Sequence, residues 1–183
     1  MIRILSTVFV LFAVLAWEAA AVAQTSSGPD AGAKLEPLKV KAITGSNAGE
    51  EIDFVKAREG KPTVYVFIQA DKWDRPVARF LKVLDSDLGT DRQDVAIIAT
   101  WLTDDVEKTS EYLPRAQQSI NLSQTSLAVY PGDKSGPPGW SINDSAHLTA
   151  IIANDNRVVA SFGYRSLNET NVLEVVAKLP PRK

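Results

Sequence analysis

The stretch Thr63-Val64-Tyr65-Val66-Phe67-Ile68 decides the fold, because every one of its residues is β-branched or aromatic. A continuous run of this composition is typical of a strand that is buried on both faces of a sheet. Two similar runs follow, at Asp94–Leu102 and Ser126–Tyr130, and each gap is long enough to hold a helix. Strand and helix therefore alternate, which predicts parallel strands joined by right-handed crossovers.

The helices between these strands are indicated by apolar spacing and by capping residues. The first is expected to begin after the N-cap Asp74, to carry Pro76 in its first turn and to end at Gly89. The next is expected to begin after Thr103 or Asp104 and to break or kink at Pro114. A closing helix, capped by Ser166 or Asn168, is expected to end at Pro180. The apolar residues of these helices favour one buried stripe on each.

Further strands are predicted on either side of this core. Leu38–Ile43 alternates apolar and polar residues, as a half-buried strand does. Leu148–Ala153 and Arg157–Phe162 flank Asn154-Asp155-Asn156, a spacing that favours an antiparallel hairpin. The predicted sheet is therefore mixed.

The N-terminal region has the composition of a secretory signal. Arg3 precedes the apolar run Ile4–Trp17, and Ala21-Val22-Ala23 is a small-x-small cleavage site that would leave Gln24 as the mature N-terminus. We expect a signal peptide at 1–23, and the alternative is an uncleaved membrane anchor. The Ser- and Gly-containing stretch 24–36 is expected to be a flexible linker, and 37–180 a single domain.

Composition excludes several kinds of function. The chain has no cysteine and one histidine, His147, so disulfides, zinc–thiolate sites and histidine-based metal clusters are ruled out. The acids do not follow the spacing of a calcium loop. The net charge is −2 with no basic run, which argues against nucleic-acid binding. No second long apolar run follows residue 23, so no membrane span is expected there, and no cofactor is predicted.

The order of these elements, together with three short sequence matches, resembles the redoxin, or peroxiredoxin-like, branch of the thioredoxin superfamily. Gly60-Lys61-Pro62-Thr63 resembles the entry to the first core strand of redoxin domains, and Asp71–Pro76 opens a helix where the family carries its cysteines. Leu148-Thr149 begins the strand where the family usually has cis-proline and threonine, and Asn154–Val159 resembles the hairpin that follows. The resemblance covers about 38–179 and implies a thioredoxin-like three-layer α/β/α sandwich with a mixed central sheet.

The sequence departs from the family at the residues that carry its chemistry. No cysteine stands at or near Lys72–Arg75, and Leu148 occupies the position of the cis-proline. Because thiol exchange and thiol peroxidase chemistry require a thiolate, neither activity is expected here.

The resemblance also implies that six residues gather at one end of the sheet, near a helix N-terminus: Lys72, Trp73, Asp74, Arg75, His147 and Thr149. Trp73 would supply apolar stacking area and Arg75 a bidentate donor, and a peptide could pair with the backbone before Leu148. Each residue also has a structural interpretation. Asp74 can be a helix cap, Trp73 a lid over the core, Lys72 and Arg75 solvated charges, and His147 a structural hydrogen-bonding residue.

The sequence therefore predicts an exported thioredoxin-like domain that has no thiol redox activity and acts as a binding or assembly module for a protein or peptide. The ligand and the oligomeric state are not indicated. The alternatives are a redoxin oxidoreductase by fold only, or an enzyme that works without cysteine and uses the region of His147, Asp74 and Arg75.

Overall fold

The computed structural model describes residues 24–182, and the predicted signal segment 1–23 lies outside them. Eight strands and four α-helices follow one another along this part of the chain. The strands are Gln24–Thr25 (β1), Lys39–Ala42 (β2), Glu51–Asp53 (β3), Thr63–Gln69 (β4), Ala96–Leu102 (β5), Thr125–Tyr130 (β6), Leu148–Asn154 (β7) and Arg157–Tyr164 (β8). The helices are Phe54–Arg58 (α1), Arg75–Asp91 (α2), Val106–Ile120 (α3) and Asn171–Val176 (α4), and a single 3₁₀ turn spans Ala70–Lys72.

All eight strands form one mixed sheet in the order β1-β8-β7-β4-β5-β6-β2-β3. Strands β4, β5 and β6 are parallel, and every other pair is antiparallel. The central position of β4 explains its composition, because hydrogen-bonded neighbours on both sides and packing on both faces favour β-branched and aromatic residues. The predicted alternation of strands and helices, the hairpin β7–β8 and the mixed sheet are confirmed.

The two faces of the sheet are covered differently. Val64, Val66 and Ile68 of β4 point to a core that they share with α2, α3 and α4. Tyr65 and Phe67 point to the opposite face, where the covering layer consists of α1, the N-terminal segment and the loop 131–147. The three layers are present, but the second outer layer contains only one short helix.

Three helices differ from the sequence-based expectation, and the closing one, α4, ends at Val176 rather than at Pro180. Helix α2 continues past Gly89 to Asp91, so Gly89 does not end it. A Cβ atom at Gly89 would lie 2.7 Å from Cγ of Gln124, which shows that this glycine permits a close approach of the loop before β6. Helix α3 continues through Pro114, because Leu113 and Ala116 on either side of it are buried in the core.

Helix caps are partly as expected. Asp74 is the N-cap of α2, and its Oδ1 accepts a hydrogen bond from the backbone N–H of Val77 at 3.0 Å. The N-cap of α3 is Asp105 rather than Thr103 or Asp104, and its Oδ1 accepts from the N–H of Lys108 at 3.0 Å. The N-cap of α4 is Thr170 rather than Ser166 or Asn168. One of the three predicted caps is therefore correct, and the other two lie one to four positions before the observed residue.

The segment 24–36 is ordered against the domain, contrary to the expectation of a flexible linker. Gln24 and Thr25 pair with Tyr164 and Gly163 of β8, and Lys34 forms a bridge to Arg157 at the other end of that strand. The hydroxyls of Ser27 and Thr149 are 2.6 Å apart in the interior. The composition of this segment suggested disorder, but its backbone is held by the edge of β8.

No helix within residues 24–182 is both long and apolar enough to cross a membrane.

Candidate functional site

The candidate site lies where β4 and β5 end and where α2 and α3 begin. In parallel sheets, ligands bind beyond the carboxyl ends of the strands, beside the first turns of the following helices. A cleft of about 260 Å³ opens at this position. We call this cleft the aromatic notch, and its lining consists of Ala70, Trp73, Trp101, Thr103, Asp105, Lys108, Thr109 and Tyr112.

Three aromatic side chains form the walls of the aromatic notch. The ring of Trp73 lies 5.2 Å from the ring of Trp101, at an interplanar angle of 59°. Trp101 is buried in β5, whereas Trp73 is half-buried and Tyr112 is 40 % exposed. The indole N–H of Trp73 donates to the hydroxyl of Tyr112 at 2.9 Å, and this bond joins the start of α2 to the middle of α3.

The polar side chains of the floor bond to one another. The hydroxyl of Thr109 donates to Oγ1 of Thr103 at 3.0 Å. The hydroxyl of Thr103 lies 3.3 Å from the carbonyl oxygen of Asp105, and its oxygen accepts from the N–H of the same residue at 3.1 Å. The floor of the notch is thus fixed by the loop that leads into α3.

A smaller recess of about 150 Å³ adjoins the notch, and Ala70, Thr103 and Asp105 line both. Asp71, Asp104 and Lys134 complete its lining together with Leu102. The ammonium of Lys134 lies 3.3 Å from a carboxylate oxygen of Asp104, and this carboxylate raises the pKa of Lys134. The buried amide of Gln69 donates to the carbonyl of Lys134 at 3.1 Å, which fixes the loop 131–139 over the end of β4.

The first four predicted site residues have separate roles in the structure. Trp73 lines the aromatic notch, whereas Asp74 is exposed and caps α2. Arg75 is exposed. The ammonium of Lys72 donates to the backbone carbonyl of Asp144, which ties the turn before α2 to the loop before β7.

His147 and Thr149 lie beside this turn but do not line the notch. The N–H of Gln69, at the end of β4, donates to the carbonyl of His147 at 3.2 Å, which places His147 beside the turn 70–72. Thr149 points to the opposite face of the sheet and is covered by Ser27. Within residues 24–182, no hydrogen bond or ion pair joins His147 to Asp74 or Arg75. Ligand binding by these six residues stays a prediction.

Neither Tyr112 nor Trp101 is among the site residues predicted from the sequence. Trp101 does belong to the core, but one side of its ring also contacts Trp73 at the notch. Tyr112 is 39 positions from Trp73, and no local pattern reveals their hydrogen bond. The part of the chain that the structure describes contains no group of three acidic or histidine side chains that could hold a metal ion.

Comparison with solved structures shows the fold. BsSco, a member of the Sco family of cytochrome c oxidase assembly proteins, superposes with a TM-score of 0.57 at 14 % identity over 84 % of this chain and 97 % of its own. Peroxidoxin BcpB from Mycobacterium tuberculosis gives a TM-score of 0.58 at 13 % identity over 81 % and 94 %. A DsbF homologue from Corynebacterium diphtheriae gives 0.58 at 12 % identity over 81 % and 87 %.

No protein-family model and no curated protein matches the sequence. At these identities the similar structures establish a thioredoxin-like fold and nothing finer. The fold suggested by the short sequence matches is thus confirmed, in a chain without any cysteine.

Proposed function

We propose that this chain is an exported thioredoxin-like binding module that captures a partner protein by a side chain inserted into the aromatic notch. The observation that carries the proposal is the locked group of Trp73, Trp101 and Tyr112. It stands at the end of the sheet where the fold presents its functional groups, and it contains no thiol.

The state of the three rings supports binding rather than packing alone. A tryptophan that is only structural gains most when it is fully buried, yet Trp73 and Tyr112 keep part of their rings in solvent. Because their mutual hydrogen bond and the contact with Trp101 restrict both side chains, little conformational entropy is lost when a ligand binds. Rigid aromatic residues of this kind are enriched at interaction hot spots.

Export is the second part of the proposal and rests on the sequence of residues 1–23. We expect the protein recovered from an expressing cell to lie outside the cytoplasm and to begin at Gln24. Fractionation followed by mass measurement of the intact protein tests this, and a cytoplasmic chain that retains residues 1–23 would contradict it.

Binding can be tested on an array of random twelve-residue peptides. The wild-type protein should bind a subset of them. Trp73→Ala should weaken the affinity for these peptides by at least about tenfold, the cost of losing one aromatic anchor. The control is Leu173→Ala, because Leu173 is 65 % exposed on α4 and lies outside the notch. Equal binding by all three proteins, or no binding by the wild type, would overturn the proposal.

The absence of redox activity needs a separate assay. The purified protein should neither reduce insulin disulfides nor consume peroxide at enzyme-like rates, because no cysteine is present to form a thiolate. Turnover in either assay would mean that another group performs redox chemistry in this fold.

A further inference from the structure

We infer that the aromatic notch selects a cation, the side chain of a lysine or arginine on the partner protein. This inference rests on the proposed function and names the chemical class of the group that enters the notch. It is based on the hydrogen-bond donors, π faces and charges in the notch that remain available to a ligand.

Most hydrogen-bond donors of the notch are already used within it. The indole N–H of Trp73 is directed to Tyr112, and the hydroxyl of Thr109 to Thr103. Thr103 directs its own hydroxyl to the carbonyl of Asp105. An anion or a carbonyl group entering the notch would therefore find few free donors, apart from the hydroxyl of Tyr112 and the exposed ammonium of Lys108.

What the notch does offer is π surface and acceptor oxygen. An indole face attracts a cation placed within about 6 Å of the ring centre, and tryptophan is the strongest of the aromatic residues in this respect. Since the indole N–H of Trp73 is bonded to Tyr112, it is the ring faces that remain for a ligand. The long apolar stem of lysine or arginine can pack on these rings while the charged head reaches past them.

The head of such a side chain would meet acidic groups. The adjoining recess is lined by Asp71, Asp104 and Asp105 and, among the described residues, by one cationic side chain, that of Lys134. Lys134 pairs with Asp104 at 3.3 Å, and within residues 24–182 neither Asp71 nor Asp105 forms an ion pair. The charge of the recess is thus complementary to a cation, and the recess adjoins the notch, since Ala70, Thr103 and Asp105 line both.

Among residues 24–182, Lys108 is the one cationic residue that lines the notch. Its side chain is exposed and forms no ion pair within the described residues. Its charge opposes an incoming lysine, so removing it should strengthen cation binding, whereas removing the charge of Asp71 should weaken it. The two substitutions are therefore expected to change the affinity for a cation in opposite directions, and each serves as the control for the other.

The test uses four capped amino acids as probes: the N-acetyl amides of lysine, arginine, norleucine and glutamate. Binding is followed by the indole N–H resonance of Trp73 in the purified protein, assigned by its loss in Trp73→Phe. Lysine and arginine amides should shift this resonance in a saturable way, and norleucine, which is the neutral apolar counterpart, should not. Asp71→Asn should weaken the binding of the lysine amide by about two- to fivefold, and Lys108→Gln should strengthen this binding by a similar factor.

The outcomes separate this inference from the proposed function. If norleucine amide binds as well as lysine amide, or if glutamate amide binds best, the notch is not a cation site, and the proposed binding function survives through the peptide array. If no probe shifts the resonance, the cation inference is overturned whatever the array shows. If the array shows no dependence on Trp73, the proposed function fails, and with it the inference that depends on it.

Discussion

Asp85 on α2 accepts two hydrogen bonds from Thr125, one from its backbone N–H and one from its hydroxyl, both at 2.7 Å. The same carboxylate also accepts from the backbone N–H groups of Ser123 and Gln124, each at 2.9 Å, and from the hydroxyl of Ser123. Asp85 is almost completely buried, with 3 % of its surface exposed. A buried carboxylate is thus satisfied by five donors, and it fixes the start of β6 against the helix that begins at the aromatic notch.

Replacing Asp85 should destabilise the whole domain. Asp85→Ala leaves five donors of the loop without their acceptor, and we expect a loss of about 3 kcal/mol in the free energy of unfolding. Asp91→Ala, an exposed acid at the end of the same helix, should change it by less than about 0.5 kcal/mol. Urea denaturation followed by circular dichroism measures both, and an equal effect of the two substitutions would refute the role of Asp85.

The two tryptophans of the notch should differ in their contribution to stability. Trp101 is fully packed in β5, so Trp101→Ala should cost about 3–5 kcal/mol, as other large core truncations do. Trp73 is half-buried, and Trp73→Ala should cost about 1–2 kcal/mol, the loss of part of its buried area. Thermal melts of the two variants decide the question. A Trp73→Ala melt as low as that of Trp101→Ala would make Trp73 a core lid rather than a binding residue.

The sequence predicted the elements whose burial pattern is local. Thr63–Ile68 and the apolar stripe of α2 each carry their own signal, because one strand or one helix determines which of its residues face the core. The interior position of Pro114 was not predictable in the same way. The helix continues there because Leu113 and Ala116 pack against other elements, and their burial outweighs the local cost of the proline.

The contacts that the sequence did not reveal join distant residues. Ser27 meets Thr149 across 122 positions, and Trp73 meets Tyr112 across 39. The composition of 24–36 gave no sign of order, because β8, Thr149 of β7 and the core of the domain hold this segment, which has no core of its own. The sequence indicated a candidate site near Lys72–Arg75. It did not indicate Trp101 and Tyr112, the other two aromatic walls of the notch, because they are distant from Trp73 along the chain.

Gly163 should control the order of the N-terminal segment. A Cβ atom at this position would meet the carbonyl oxygen of Thr25 and would lie 2.6 Å from Cβ of Ser27. Gly163→Ala should therefore displace residues 24–29 from β8, at a cost of about 1–2 kcal/mol. Val159→Ala, at an exposed position of the same strand, is the control.

Hydrogen exchange measures this displacement directly. The amide of Gly28, which donates to the carbonyl of Ser141 at 2.9 Å, should lose at least about tenfold of its protection in Gly163→Ala, whereas the amides of β4 should keep theirs. Unchanged protection of Gly28 would mean that the contacts of 26–36 hold the segment without the pairing of β1.

The stability of the domain should fall at high pH because of its buried tyrosines. Burial, reinforced by the nearby Glu174 carboxylate, raises the pKa of Tyr164 above its ordinary value of 10.0, and burial also raises the pKa of Tyr65. Above pH 10 the unfolded chain releases these protons while the folded chain retains them, so the free energy of unfolding decreases as the pH rises, by up to about 1.4 kcal/mol per pH unit for each group. Below pH 10 both states hold the protons, and neither tyrosine adds a pH dependence.

Among the described residues, the hydroxyl of Tyr164 has one side-chain partner, Glu174, at 3.5 Å. Tyr164→Phe should therefore cost little at pH 7 and should make the decline above pH 10 less steep. Urea denaturation at several pH values from 8 to 11.5 tests this, and an identical slope in wild type, Tyr164→Phe and Tyr65→Phe would show that neither phenol is protected from ionisation by the fold.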